Sequence, residues 1–173
     1  LVLKRYLDFE EVTDIVFIIT SNGGSAGEAV KIATLLTDSV YSERFTFHCV
    51  IKEKAWSAGM LIAYACKNIF IFPGSAGGAC VSYNPYNYAQ NRNDVANDET
   101  KKAVDAKQNA GLAKRFARMA ELNGHNALVP TAMIVMEKEL FSWEDDTGKL
   151  VISDQVPPEF EYYLSLGDPN RKH

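Results

Sequence analysis

A continuous apolar run lies near the start of the chain in "DIVFIIT", residues 14–20. Its β-branched residues follow one another without polar alternation, which predicts a strand covered on both faces. The polar stretch "SNGGSAG" follows, and then the helical pattern "EAVKIATLL". A second unit repeats this order, with a strand over residues 45–51, a turn "KEKAW" and an almost wholly apolar helix from Ser57, which predicts a buried helix.

Strand and helix patterns alternate through the rest of the chain. "NIFIFP" predicts a third strand, "GACVSY" is a candidate fourth, and residues 84–98 form a long polar loop. Helices are predicted over residues 99–122 and over "NALVPTAMIVMEKEL", and "LFSWEDDTGKLVISD" is typical of a hairpin. The alternation predicts an α/β fold built from repeated strand–turn–helix units with a mostly parallel sheet.

Composition is that of one globular domain over residues 1–173, with 47% hydrophobic and 23% charged residues. The chain begins without Met in an amphipathic helical pattern and ends in the charged "DPNRKH". We therefore expect a fragment of a longer polypeptide that lacks flanking N- and C-terminal elements.

Charge and cysteine content exclude several classes of function. The net charge of −4 argues against a nucleic-acid surface, and no apolar run reaches the roughly 20 residues of a membrane span. Cys49, Cys66 and Cys80 lack ligand spacing and lie in apolar stretches, so we expect reduced core thiols. Neither a metal nor another cofactor is expected.

Two glycine-containing turns carry the chemical signal. Gly23 and Gly24 can expose backbone N–H groups to an anion or a developing oxyanion. The spacing fits neither a dinucleotide fingerprint nor a P-loop, and a simple tight turn remains an alternative. Ser57 is either the N-cap of its helix or a nucleophile.

The predicted parallel sheet brings these two turns together. Neighbouring parallel strands place the Gly23 and Gly24 amides beside the start of the Ser57 helix, where the Ala58 N–H also points outward. Hydroxyl and N–H donors would converge on one spot, which is the arrangement that acyl transfer requires.

"SNGG" followed by "KAWSAGMLIAYACKNIFIFPGSAGGA" resembles the ClpP-class serine peptidases of the ClpP/crotonase superfamily. The resemblance covers about residues 10–135 and is greatest to the membrane-associated branch, the NfeD-type and signal-peptide-peptidase-like peptidases. It implies a ClpP/crotonase-like fold, with Ser57 as nucleophile and the amides of Gly23, Gly24 and Ala58 as oxyanion hole. It also implies hydrophobic or membrane-derived peptide substrates, and membrane association through segments outside this chain.

Two positions depart from the family pattern. Asn22 replaces the usual proline of the first turn, which should loosen the turn without removing its amides. Trp56 replaces a small residue before the serine and should narrow the pocket. Together with Tyr83, and also Tyr86 and Tyr88, Trp56 could form apolar subsites for a peptide, although aromatic residues in a core or an interface are equally plausible.

The resemblance also bears on the base that would activate Ser57. The stretch that should hold a catalytic histidine, "GGACVSYNPY", has none, and His48, His125 and His173 are better explained as structural or solvated. The related branch uses a Ser–Lys dyad, and counting back from "MAELNGHN" places Lys107 at the matching position, between Ala103 and Ala110. Small neighbours would permit desolvation, but Lys107 could equally be a solvated lysine among the others of this helix.

Three functions from different classes are consistent with the sequence. The first is a serine peptidase with a Ser57–Lys107 dyad, and the second is a crotonase-type acyl-CoA enzyme. The third is an inactive homologue that only binds peptides. The apolar segments "TAMIVM" and "FEYYLSL" further predict a homo-oligomer.

Overall fold

The computed structural model describes residues 2–8, 11–81, 98–135 and 137–156. Its helices are α1 (Val2–Tyr6), α2 (Ala26–Thr37), α3 (Ser39–Ser42), α4 (Ala58–Tyr64), α5 (Asp98–Leu122) and α6 (Leu128–Ala132). Its strands are β1 (Asp14–Ser21), β2 (Thr46–Trp56), β3 (Asn68–Ile71), β4 (Ala76–Gly78), β5 (Phe141–Glu144) and β6 (Leu150–Ser153).

The larger sheet is parallel throughout. Strand β2 pairs with β1 along one edge, and with β3 and then β4 along the other, in the registers Asp14↔Thr46, His48↔Asn68 and Lys54↔Ala76. The 11 residues of β2 make it long enough to take both short strands. The predicted mixed α/β class with a mostly parallel sheet is therefore confirmed.

The second sheet is the antiparallel hairpin β5–β6, as predicted. The turn between its strands is organised by Asp145, whose carboxylate accepts the N–H groups of Thr147 at 2.9 Å and Lys149 at 3.0 Å. These hydrogen bonds hold the pKa of the Asp145 carboxyl below its usual value, with the Thr147 hydroxyl contributing most.

The core lies on one face of the parallel sheet, where the inward-facing residues of β2 are covered by α2, α4 and α5. Because each large apolar side chain buried in this way contributes about 1.5–3 kcal/mol, this layer accounts for much of the folding free energy. Its buried members from the sheet and the three helices include Phe47, Cys49, Ile51, Ala33, Leu36, Leu61, Ala63, Phe116 and Ala120.

None of the described elements covers the opposite face of β1, so the prediction that β1 is covered on both faces is wrong. Burial alternates along β1, and Val16 and Ile18 are 57% and 70% exposed. Phe70 of β3 is 55% exposed on the neighbouring strand. The continuous apolar run therefore hides a period of two, because residues that face the open side are as apolar as those that face the core.

Three element boundaries also differ from prediction. "KEKAW" continues β2 and is not a turn, and the fourth strand is Ala76–Gly78, earlier than "GACVSY". The helix around Pro130 is only five residues long, and the following segment is held by turns, with the N–H of Val135 bonded to Thr131 O at 2.9 Å. That segment packs against the core, with Ile134 only 2% exposed, so "TAMIVM" is not the exposed surface that we expected.

The long helix is close to its predicted bounds. It ends at Leu122, where Gly124 takes a φ of 78° and the N–H of His125 bonds to Ala120 O at 2.8 Å. A left-handed glycine after the last helical turn is a common way to satisfy the final carbonyls. In the described part of the chain, no helix combines the length and apolar character needed to cross a bilayer.

The three thiols are free and buried, as predicted. Burial raises the pKa of Cys49 to about 11 and those of Cys66 and Cys80 to about 12, because an apolar environment disfavours the thiolate. All three are uncharged at neutral pH and behave as small core residues.

Candidate active site

Ser57 lies in a sharp turn between the last residue of β2 and the first of α4. Its φ is 49° and its ψ is −116°, and its own N–H donates to Gly78 O at 2.8 Å. The side chain makes no capping hydrogen bond to α4, so the N-cap interpretation is wrong. A non-glycine residue held at these angles costs about 1–3 kcal/mol, and such strain clusters at functional sites.

Small residues on both sides of Ser57 allow this turn. Ala55 is fully buried, and a Cβ added to Gly59 would lie 3.1 Å from Ser21 Cβ and 3.7 Å from Ala55 Cβ. The sequence reasoning did not single out this pair, although the spacing of two on each side of the serine is visible in "AWSAG". A strained serine between a strand and a helix is the geometry that exposes the nucleophilic hydroxyl of α/β-hydrolases.

The first glycine turn lies directly against Ser57, as the predicted parallel pairing requires. Gly23 has a φ of +98°, and a Cβ placed there would lie 3.0 Å from Ser57 Cβ and 3.2 Å from Trp56 O. Only glycine fits this approach, because any side chain would meet both backbone strain and a close contact. Gly24 has open space around it.

The three amides predicted for the oxyanion hole differ in availability. The N–H of Gly23 donates to Ser21 Oγ at 3.1 Å and is therefore already engaged. Gly24 lines the pocket beside Ser57. Ala58 is the first residue of α4, where a helix offers N–H groups that have no intrahelical partner. Of the three residues, Gly24 is the one that lines the pocket, and Ala58 adjoins Ser57 at the start of the helix.

A pocket of about 690 Å³ opens over Ser57. Trp56, Val81 and Leu112 supply its apolar wall, and Ala79, with a φ of 49°, completes the rim. Ala79 and Ser57 are the two non-glycine residues with positive φ in the described part of the chain, and both line this pocket. Its remaining lining residues are Asn22, Gly24, Ser25 and Ala26.

The other predicted subsite residue, Tyr83, lies outside the described residues, as do Tyr86 and Tyr88. Trp56 is half-buried and belongs to the pocket wall. Asn22, which replaces the proline of the family pattern, lies in the same wall.

Lys107 is not brought into the Ser57 pocket. It is exposed on α5 and lines a neighbouring groove of about 380 Å³ together with Gln108 and Arg115. The groove and the Ser57 pocket are adjacent, because both are lined by Ala26 and Leu112. Lys107 therefore lies beside the pocket and not in it. The desolvation that we expected from small neighbours is absent in this arrangement.

The histidines of the described residues lie elsewhere and have structural partners. His48 Nε2 is 2.8 Å from Asp14 Oδ1, and its Nδ1 is 3.1 Å from the Asn68 side-chain amide. His125 Nε2 is 2.8 Å from Cys66 O. Their structural assignment is confirmed, and His173 lies outside the described residues.

Cys80 lies next to the turn at Ser57. Its thiol donates to Gly78 O at 3.3 Å and lies 3.8 Å from Ser57 O. Because its raised pKa keeps it neutral, Cys80 supports the turn without adding charge to the site. Within the described ranges, no three His, Cys, Asp or Glu side chains are grouped so that they could hold a metal ion.

Comparison with known proteins adds no assignment to this geometry. No model of a known protein family matches the chain, and no curated protein sequence matches it.

Proposed function

We propose that the chain is a serine peptidase with a ClpP/crotonase-like fold, in which Ser57 is the nucleophile. The observation that carries this proposal is the strained turn at Ser57, whose hydroxyl caps no helix and which opens on a pocket next to a glycine turn. Strain of this kind is a free-energy cost that folding alone does not explain, and presentation of a nucleophile explains it.

The first half of the reaction forms an acyl-enzyme. Ser57 Oγ attacks the carbonyl carbon of the scissile peptide bond, and its proton passes to Lys107, the general base of the proposal. The carbonyl oxygen becomes an oxyanion, which accepts hydrogen bonds from the amides of Gly24 and Ala58. Breakdown of this intermediate breaks the C–N bond, and the protonated Lys107 returns its proton to the leaving amine.

The second half releases the acyl group by hydrolysis. Lys107, again neutral, accepts a proton from the incoming water, whose oxygen attacks the ester carbon. The same two amides stabilise the second oxyanion, and the proton returns to Ser57 Oγ as the ester bond breaks. Because Lys107 lines the adjoining groove, this route requires its flexible side chain to pass Leu112 and enter the Ser57 pocket when peptide is bound.

The pocket favours apolar side chains next to the cleaved bond. Trp56, Val81 and Leu112 form its apolar wall, which suits the hydrophobic or membrane-derived peptides implied by the resemblance. The exposed apolar face of the sheet, with Ile18 70% exposed, supports a homo-oligomer as part of the same proposal.

Labelling with a fluorophosphonate probe tests the nucleophile directly. The wild-type chain should form a covalent adduct on the tryptic peptide that contains Ser57, and Ser57→Ala should form none. Ser153→Ala, which alters a half-buried serine of β6, should label like the wild type and serves as the control. A wild-type chain that hydrolyses peptides without adduct at Ser57 would refute the proposal.

One observation favours a second candidate, a peptide-binding homologue without catalysis. Lys107 is exposed and outside the Ser57 pocket, so the base is not positioned in this arrangement. Such a protein would bind apolar peptides without cleaving them and would remain unlabelled by the probe. Probe labelling and a measurement of peptide binding on the same protein together separate the two candidates.

A further inference from the structure

Ser21, the last residue of β1, lies under the glycine turn. The pairing of β1 with β2 shifts register between Ile19 and Ser21, which brings Ser21 opposite Ala55. Its half-buried hydroxyl accepts the N–H of Gly23 at 3.1 Å. The bond joins residues two apart and stabilises the start of the turn. Serine hydroxyls make such local bonds to nearby backbone groups in turns.

This hydrogen bond engages the first of the two glycine amides in the turn. With its N–H engaged by Ser21, Gly23 lies against the Ser57 side chain, where an added Cβ would be 3.0 Å from Ser57 Cβ. Gly24 follows and lines the pocket, with open space around it. The N–H of Gly23 is therefore already engaged, whereas Gly24 lies at the pocket, where a developing oxyanion would need a donor.

Ser21 also contacts the start of α4. A Cβ added to Gly59 would lie 3.1 Å from Ser21 Cβ and 3.3 Å from its Oγ, so the helix can begin this close only because residue 59 is glycine. One side chain thus touches both the turn that carries Gly24 and the helix that begins at Ala58.

We infer that Ser21 is a positioning residue, which holds the turn through Gly23 and so aims the Gly24 amide, with that of Ala58, at the oxyanion of the reaction. This inference rests on the proposed function. Two donors stabilise a developing charge only when both point at one position, and a displacement of a fraction of an ångström weakens that stabilisation. Ser21 acts through the backbone and does not touch the substrate.

Ser21→Ala removes the acceptor and frees the turn. We expect kcat for a chromogenic peptide to fall about tenfold, less than the 10²–10³-fold typical of removing a donor outright. KM should stay within twofold, because the pocket wall is unchanged. The affinity of a peptide boronate, which mimics the tetrahedral intermediate, should fall by the same factor as kcat/KM, while the affinity of a product peptide should not change. Ser21→Thr keeps the hydroxyl and should retain at least half of the wild-type kcat.

Ser153→Ala is the matched control. Ser153 is also the last residue of a strand, and its hydroxyl also accepts the N–H two residues on, that of Gln155, at 2.9 Å. It lies on the small sheet, so its loss should leave kcat and boronate affinity at wild-type values. Amide hydrogen exchange should show faster exchange at Gly23 in Ser21→Ala and unchanged exchange there in Ser153→Ala.

The outcomes separate the inference from the proposed function. An active wild type whose Ser21→Ala variant keeps kcat and boronate affinity within twofold overturns the inference and leaves the nucleophile in place. The inference is also overturned if Ser21→Ala loses activity while amide exchange at Gly23 keeps its wild-type rate, because the effect would then follow side-chain packing and not the acceptor. A wild type that neither cleaves peptide nor reacts with the probe overturns both.

Discussion

The two ends of the parallel sheet hold their polar groups in opposite ways. At the amino end, Asp14, His48 and Asn68 form a row across three strands, and both ring nitrogens of His48 have partners, at 2.8 Å and 3.1 Å. At the carboxyl end, Ser57 has a strained backbone, no capping bond and an open pocket over it. The polar side chains of the amino end are hydrogen-bonded to one another, whereas at the carboxyl end Ser57 combines a strained backbone with a side chain that makes no capping bond.

This contrast separates structural polar groups from candidate reactive ones. A histidine beside an aspartate suggests a catalytic pair, yet His48 uses both nitrogens to tie strands together and lies at the other end of β2 from Ser57. An isolated serine looks less reactive, yet the fold holds it at angles that cost about 1–3 kcal/mol. Ligands of parallel sheets also bind at the carboxyl ends of the strands, which agrees with this assignment.

The largest effect on activity is expected for substitution of Ser57. Ser57→Ala should reduce peptide hydrolysis by about 10³-fold or more, because it removes the nucleophile. It should leave the free energy of unfolding nearly unchanged, since the hydroxyl makes no capping bond. Peptidase assays and urea denaturation of the same samples measure the two quantities.

Ser57→Gly provides a sharper test of strain at the same position. Glycine adopts the angles of residue 57 without a Cβ penalty, and we expect about 1 kcal/mol of added stability, part of the strain being offset by the greater freedom of glycine in the unfolded chain. An inactive but more stable Ser57→Gly protein would show that function maintains the strain. A less stable one would contradict the strain argument.

Lys107 should have the next largest effect on activity. Lys107→Ala should lower kcat by about 10²–10⁴-fold if Lys107 is the general base, and Lys107→Arg should fail as well, because arginine does not release its proton. Lys114 is the matched control, since it is also exposed on α5 and belongs to neither cavity. Retained turnover in Lys107→Ala, with loss in Lys101→Ala or Lys102→Ala, would transfer the role to another lysine.

Much of the carboxyl end could be predicted from the sequence, and the reason is local. "SNGG" and "AWSAG" each specify a turn through their own small residues, and parallel pairing of β1 with β2 then brings Gly23 against Ser57. The position of Lys107 is different, because it depends on how α5 packs against α2. Helical spacing fixes which residues share a face but not how far that face lies from the serine.

The open sheet face marks a second limit of sequence reasoning. Val16 and Ile18 are as apolar as their buried neighbours, so the composition of β1 carries no sign that one face lacks a covering layer. The bond between Ser21 and the Gly23 amide is local, because it joins residues two apart, and it was not singled out from the sequence. The register shift that brings Ser21 opposite Ala55 arises from pairing between strands, so it and the open face belong to tertiary structure and not to local propensity.

Substitutions at the two glycines of the first turn should affect stability unequally, so Gly23 and Gly24 can be compared with each other. Gly23→Ala should destabilise the fold by about 1–3 kcal/mol, since alanine would be strained at a φ of +98° and its Cβ would meet Ser57 and Trp56 O. Gly24→Ala has open space and should cost little stability. Thermal unfolding of the two variants measures the difference, and equal losses would contradict the close approach of Gly23 to Ser57.

The smallest effect on activity is expected for substitutions at the amino end of the sheet. His48→Ala should keep kcat and probe labelling within twofold of the wild type, because His48 lies at the opposite end of β2 from the pocket.

Hydrogen bonds from Thr13 and His48 hold the pKa of the Asp14 carboxyl below its ordinary value of 3.8. A lowered pKa means that the ionised form favours folding, so this contribution is complete above that value and is lost as the pH falls below it. Thermal unfolding at pH 6 and pH 3 should therefore show a difference between wild type and Asp14→Asn that narrows at the lower pH. A His48→Ala protein that stays folded but loses activity would show that the amino end takes part in function, and the contrast between the two ends would fail.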